Sequence, residues 1–151
     1  MSNAYISAME TNFHEVNLSS LGNMHFDTQI MNHHIQLAAS PAHGGNNQGP
    51  SPKPLLLASL GGCTGLDVVS LLRKMRVHFE KLNISVKGEL SSAHPQTYTH
   101  IYVHYHLFSN ELDALDKLQK AVNLSLEQYC GVSAMLRKSS EIIPELTIHK
   151  P

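Results

Sequence analysis

Tryptophan is absent from the 151 residues, and no lysine or arginine occurs before Lys53. The formal side-chain charges of residues 1–52 are therefore Glu10, Glu15 and Asp27 alone. With a net charge of −1 the chain has no excess of basic groups, so neither nucleic acid nor an anionic membrane surface is an expected partner. No basic stretch followed by an apolar core opens the chain, and a cytoplasmic location is expected. Cysteine is scarce too: Cys63 and Cys130 are the only two. Two cysteines do not make a disulfide scaffold, and a reducing compartment would keep them as thiols. No glycine-rich phosphate loop and no GxSxG elbow is present, which removes two common catalytic classes.

What is present reads as a single globular domain over residues 1–151, with residues 1–11 as a flexible N-terminal tail. Apolar residues make up 42% and charged residues 15%, a balance that supports a packed core. One tract needs a membrane test. Pro54 to Leu72 contains one charge, Asp67, in 19 residues. Asp67, the Gly61-Gly62 pair and the hydroxyls of Ser59, Thr64 and Ser70 favour a buried helix over a membrane span.

The periodicities predict an α+β fold. Residues 12–38 read as short strands around turns at Leu21-Gly22-Asn23 and Met31-Asn32. Ser40 to Pro54, rich in proline, glycine and asparagine, reads as a loop. Leu55 to about Val77 is the strongest helix signal, apolar nearly all round and basic only in its last turns. Leu82 to Leu90 and Thr97 to Phe108 alternate as strands. The second carries Ile101, Val103, Tyr105 and Leu107 on one face, and Tyr98, His100, Tyr102, His104 and His106 on the other. Asn110 is the expected cap of a helix presenting Leu112, Leu115, Leu118 and Val122. A break at Leu124-Ser125 then precedes a further helix, Leu126 to about Lys138. Pro144 ends helical structure before a short final strand at Leu146 and Ile148.

The two cysteines share a local setting. Cys63 lies in Gly61-Gly62-Cys63-Thr64-Gly65, and Cys130 in Tyr129-Cys130-Gly131-Val132-Ser133. Each stands on or beside an apolar helix with glycine next to it, so helices crossing at those glycines would bring the sulfurs together. On residues alone, small core side chains and a redox pair both fit. The tract Leu55-Leu56-Leu57-Ala58-Ser59-Leu60-Gly61-Gly62-Cys63-Thr64-Gly65-Leu66-Asp67-Val68-Val69-Ser70 resembles the first-cysteine helix of the OsmC/Ohr family. Ala121 to Val132, around Tyr129-Cys130-Gly131, resembles its second-cysteine segment. The resemblance runs over roughly residues 12–150 in the expected element order.

That resemblance implies antiparallel sheets packed around a long buried cysteine-bearing helix, in an interlocked homodimer with two active sites near the subunit interface. It implies a thiol-dependent peroxidase that reduces organic hydroperoxides in oxidative-stress defence. Cys63 would attack the peroxide, become a sulfenic acid and be resolved by Cys130 as a disulfide. No cofactor is implied, only an external dithiol, protein-bound lipoyl groups among the possibilities. Family members pair an N-terminal Arg with a Glu ahead of the first cysteine. Here no Arg precedes Arg73, and Lys53-Pro54 stand where the Glu is expected. The alternative is a catalytically weak or inactive OsmC-like module binding a small apolar ligand at the dimer interface. Asp67, one turn beyond Cys63, either faces that sulfur or accepts a hydrogen bond elsewhere. His100, His104 and His106 on one strand face offer a metal reading, set against the reading preferred here, an exposed polar face.

Overall fold

The computed structural model describes residues 13–151; the expected tail, residues 1–11, lies outside them. The described chain forms two compact units, one ending at Pro54 and one spanning Leu55–Pro151.

The first unit is an antiparallel meander of β1 (Asn17–Gly22), β2 (His25–Ile30) and β3 (His33–Ala38). Asn23 and Met24 both have positive φ, 49° and 55°, the signature of a tight hairpin turn that asparagine tolerates better than methionine. Register places Leu18 opposite Thr28 and Thr28 opposite Ile35, while Ser20, Phe26 and Leu37 form the next row. One face of the meander is thus apolar. The other carries His25, Asp27, His34 and Gln36, tied by His25–Gln36 and Asp27–His34 contacts. The proline- and glycine-rich stretch that follows contains a short 3-10 turn, Pro41–His43.

Helix α1 runs from Pro52 to Lys74, starting three residues earlier than the pattern indicates because Pro52 falls in its first turn. It is long and apolar enough to cross a bilayer. Its buried residues, however, form one stripe, Leu60, Thr64, Val68 and Leu72, spaced four apart. Leu60, Val68 and Leu72 join the same hydrophobic cluster as Ile101, Val103 and Leu107. Leu56 and Leu66 remain exposed, so the helix is covered along a stripe and not on every side.

Strands β4 (Lys81–Leu90) and β5 (Tyr98–Phe108) form the expected antiparallel pair. Ile101, Val103, Tyr105 and Leu107 are all fully buried, as the alternation predicts. Tyr98 departs from it. A bulge between Glu89 and Leu90 shifts the register, and the Tyr98 ring turns to the core side over Gly88. A methyl group on Gly88 would overlap that ring.

The expectation of antiparallel sheets holds for the first sheet and fails in the second, where β6 (Glu141–His149) pairs in parallel with β5. The helical connection between the two strands supplies the crossover that a parallel pair requires. β6 is longer than the predicted strand and includes Pro144, which an edge strand accommodates. The helices of that crossover also differ from their predicted limits. Helix α2 spans Ala114–Leu124 with Asp113 and not Asn110 at its cap. Leu112 is fully exposed, and Ala114, Leu118, Ala121 and Val122 form the buried face. The expected break at Leu124-Ser125 does not occur. The chain winds on as one π turn, Ser125–Tyr129, and breaks at Cys130, which caps a short helix α3, Gly131–Leu136.

Candidate active site

The π turn decides where the second cysteine points. Its closing hydrogen bond runs from Cys130 N–H to Ser125 O at 2.8 Å, and the extended backbone at Cys130 (φ −74°, ψ 102°) starts α3. Cys130 Sγ there accepts the Ser133 N–H at 3.3 Å, so the thiol takes the place of a polar N-cap. On α1, Cys63 stands one position before the buried stripe and Asp67 one turn further on. The Cys63 and Cys130 sulfurs and an Asp67 carboxylate oxygen lie within 4.8 Å of one another. Sixty-six residues separate Cys63 from Cys130 in the sequence, yet their side chains meet (130 minus 63 is 67 positions).

The two sulfurs are not equivalent. Cys63 is half-buried, whereas Cys130 is only 3% exposed. Burial pushes the Cys130 thiol up to about 11, and its hydrogen bond to Cys63 and the nearby Asp67 charge push the same way. The Ser133 N–H opposes them and loses. At neutral pH Cys130 therefore holds its proton beside Cys63. No Lys or Arg is among the groups that shift it. Arg137 comes as near as Ser133 Oγ, 3.4 Å, while its main bond, 2.7 Å, goes to Leu126 O.

Asp67 meets both alternatives anticipated for it: it faces the sulfurs and also accepts a hydrogen bond. Ser125 Oγ lies 2.9 Å from Asp67 Oδ2 and 2.9 Å from Thr64 Oγ1, and Thr64 Oγ1 lies 2.7 Å from Tyr105 Oη. A hydroxyl has one proton to give, and an ionised carboxylate only accepts. When Ser125 donates to Asp67, Thr64 must donate to Ser125 and Tyr105 to Thr64. Burial pushes the Tyr105 phenol up to about 12, which keeps it a donor. Asp67 thus ends a buried chain of hydroxyls. Sequence reasoning missed this chain, although a tyrosine on the core face of β5 was a signal that its hydroxyl needed a buried partner.

The glycines near Cys63 have a different task from the one expected. A Cβ on Gly61 would lie 3.0 Å from Val86 Cγ2, and one on Gly65 2.9 Å from Ile84 Cδ1, so these two let α1 settle onto β4. Gly62 and Gly131 have open space around them, and no glycine-to-glycine helix crossing brings the sulfurs together.

Beside Asp67 a cavity of about 140 Å³ is lined by Ser70, Leu71, Lys74 and Tyr129. A larger hollow, about 440 Å³, lies between His78, Phe108 and Glu111 and includes neither cysteine. Thiol chemistry and not volume identifies the candidate site. The three atoms of Cys63, Asp67 and Cys130 are also spaced for a thiophilic cation, two sulfurs and an oxygen with a fourth position free. The histidine face is engaged otherwise. His104 contacts Thr147 at 2.7 Å and Glu145 at 3.4 Å, His106 meets His149 at 3.1 Å, and His100 lies between Glu89 and Glu141.

Known proteins share this arrangement of elements. A family model described as OsmC-like protein matches residues 44–145. Protein YhfA of Escherichia coli K12 is 36% identical over 97 residues, which is 64% of this chain and 71% of that protein. A hypothetical protein from Aquifex aeolicus superposes with a TM-score of 0.81 at 28% identity, covering 93% of this chain and 99% of that one. The organic hydroperoxide resistance protein OhrB of Bacillus subtilis shares the fold, with a TM-score of 0.64 at 17% identity over 89% of this chain and 98% of that one. With two thirds of its length matched by the family model and the same layout of strands and helices, the chain belongs to the OsmC-like protein family.

Proposed function

We propose that the protein is a thiol-dependent peroxidase that reduces organic hydroperoxides, with Cys63 as nucleophile and Cys130 as resolving thiol. The observation that carries this is the convergence of a half-exposed and a buried sulfur on one carboxylate, all within 4.8 Å. Cys130 keeps its proton, which leaves Cys63 as the attacking sulfur. The Cys63 thiolate takes the outer peroxide oxygen, the O–O bond breaks, and the alcohol leaves after gaining a proton. Cys63 is then a sulfenic acid. Cys130 attacks it, a disulfide forms and water departs. An external dithiol, of lipoyl type among others, returns both cysteines to thiols by exchange.

The working unit in this reading is a cytoplasmic homodimer. The apolar face of the β1–β3 meander supports it, since Leu18, Phe26 and Ile30 are 51%, 41% and 38% exposed. The Asp67 carboxylate beside the thiols favours a second reading, because an anion opposes thiolate formation. There the same scaffold binds a small apolar ligand and its sulfurs are inert. Consumption of cumene hydroperoxide in the presence of dithiothreitol separates the two. Turnover that Cys63→Ser abolishes is the expected result, and a rate unchanged in that variant overturns the assignment.

A further inference from the structure

The proposed reaction leaves one proton without a carrier. Cys130 must lose its proton to attack, yet its thiol is buried and no cation lowers its cost of ionising. In the reduced pair the nearest anion to it is shared between Cys63 and Asp67. Once Cys63 becomes a neutral sulfenic acid, Asp67 is the remaining base within 4.8 Å. Its carboxylate is held by Ser125, behind which stand Thr64 and Tyr105. Its other side meets the cavity lined by Lys74 and Tyr129.

We infer that Asp67 is the acid–base group of the thiol pair, taking the Cys130 proton as the Cys63–Cys130 bond forms and passing it to the oxygen that leaves Cys63. This rests on the peroxidase reading for its substrate, but the proton transfer itself can be tested without peroxide. Atoms balance as follows. The S–O bond of the sulfenic acid breaks as the S–S bond forms; the Cys63 sulfur is reduced, the Cys130 sulfur oxidised. The departing hydroxide and the Cys130 proton leave as water. Transfer is concerted with bond formation, so no free Cys130 thiolate has to exist in the buried site.

The groups facing Cys130 are few. Cys63 and Asp67 come from α1, the Tyr105 phenol from β5, and the Ser133 N–H from α3. Arg137 reaches Ser133 Oγ, and Lys74 and Tyr129 line the cavity. Asp67 is the carboxylate among them.

Dipyridyl disulfide provides the test on the full chain. Cys63 attacks it and releases one pyridinethione; Cys130 then attacks the mixed disulfide and releases a second, with Asp67 accepting the proton. Asp67→Asn keeps the size and an oxygen for Ser125 to donate to. We expect the second release to slow by about a hundredfold near neutral pH in that variant. Its rate should also climb about tenfold per pH unit, as for an unassisted thiol, while the wild-type rate stays flat. Equal second-release rates with equal pH profiles overturn the inference. The wild-type pH profile also serves alone if Asp67→Asn does not fold, since a wild-type rate rising about tenfold per unit denies an internal base. Should wild type resolve the mixed disulfide rapidly yet fail to consume hydroperoxide, the peroxidase reading falls and the role of Asp67 stands.

Discussion

The two sheets are built on the same alternation and treat it differently. In β5 the apolar face, Ile101, Val103, Tyr105 and Leu107, is wholly removed from water. In the β1–β3 meander the equivalent face leaves Leu18, Phe26 and Ile30 substantially exposed. Period-two alternation thus states which side of a strand seeks cover, and does not state what provides it. For β5 the cover includes α1 and α2 of the same unit, whose Leu60, Val68 and Leu118 share its cluster. For the meander, a second copy of the chain is the occupant under the homodimer reading.

Placing a charge on each face sharpens that contrast. Val103→Asp buries an unpaired carboxylate in the core and should cost about 3–5 kcal/mol, enough to unfold much of the population, as circular dichroism would record. Ile30→Lys should leave the chain folded and shift its sedimentation from dimer to monomer. If both variants remain folded dimers, the contrast between the faces is wrong. Gly88→Ala comes next, because its methyl group meets the Tyr98 ring. Overpacking there should lower unfolding stability by about 1–3 kcal/mol in urea titration. Tyr105→Phe removes the hydroxyl that contacts Thr64 at 2.7 Å and should cost about 1 kcal/mol by the same measurement. The smallest effect is alkaline. Cys130 is raised from 9.0 to about 11, so the unfolded thiol ionises first as pH rises. Folding stability is full below the lower value and declines between the two, and Cys130→Ala should flatten that decline.

Much of this fold was legible because its signals were local. The apolar run of α1 and the alternation of Ile101 to Leu107 each needed only a short window of sequence. The pairing of Cys63 with Cys130 came from family resemblance, since neither residue carries information about its distance from the other. What escaped was set by long-range packing. β6 was read as short because Pro144 punctuates it, and only its place at the sheet edge makes that proline harmless. Tyr98 follows the alternation on paper and leaves it through a bulge. The π turn at Ser125–Tyr129, which sets the direction of Cys130, replaces an α-helical hydrogen-bonding pattern with one a single residue longer, and no composition marks it. Asp67 was noticed but not assigned, because its meaning depends on Ser125, Thr64 and Tyr105 arriving from two other elements.

The central claim is that Cys63 and Cys130 form one redox couple. Mass spectrometry of the full chain after one equivalent of cumene hydroperoxide tests it most directly. A peptide pair joined through Cys63 and Cys130, lost on adding dithiothreitol and absent in Cys63→Ser, is the predicted result. Two thiols that both remain open to alkylation after denaturation, with no linked peptides, would contradict it.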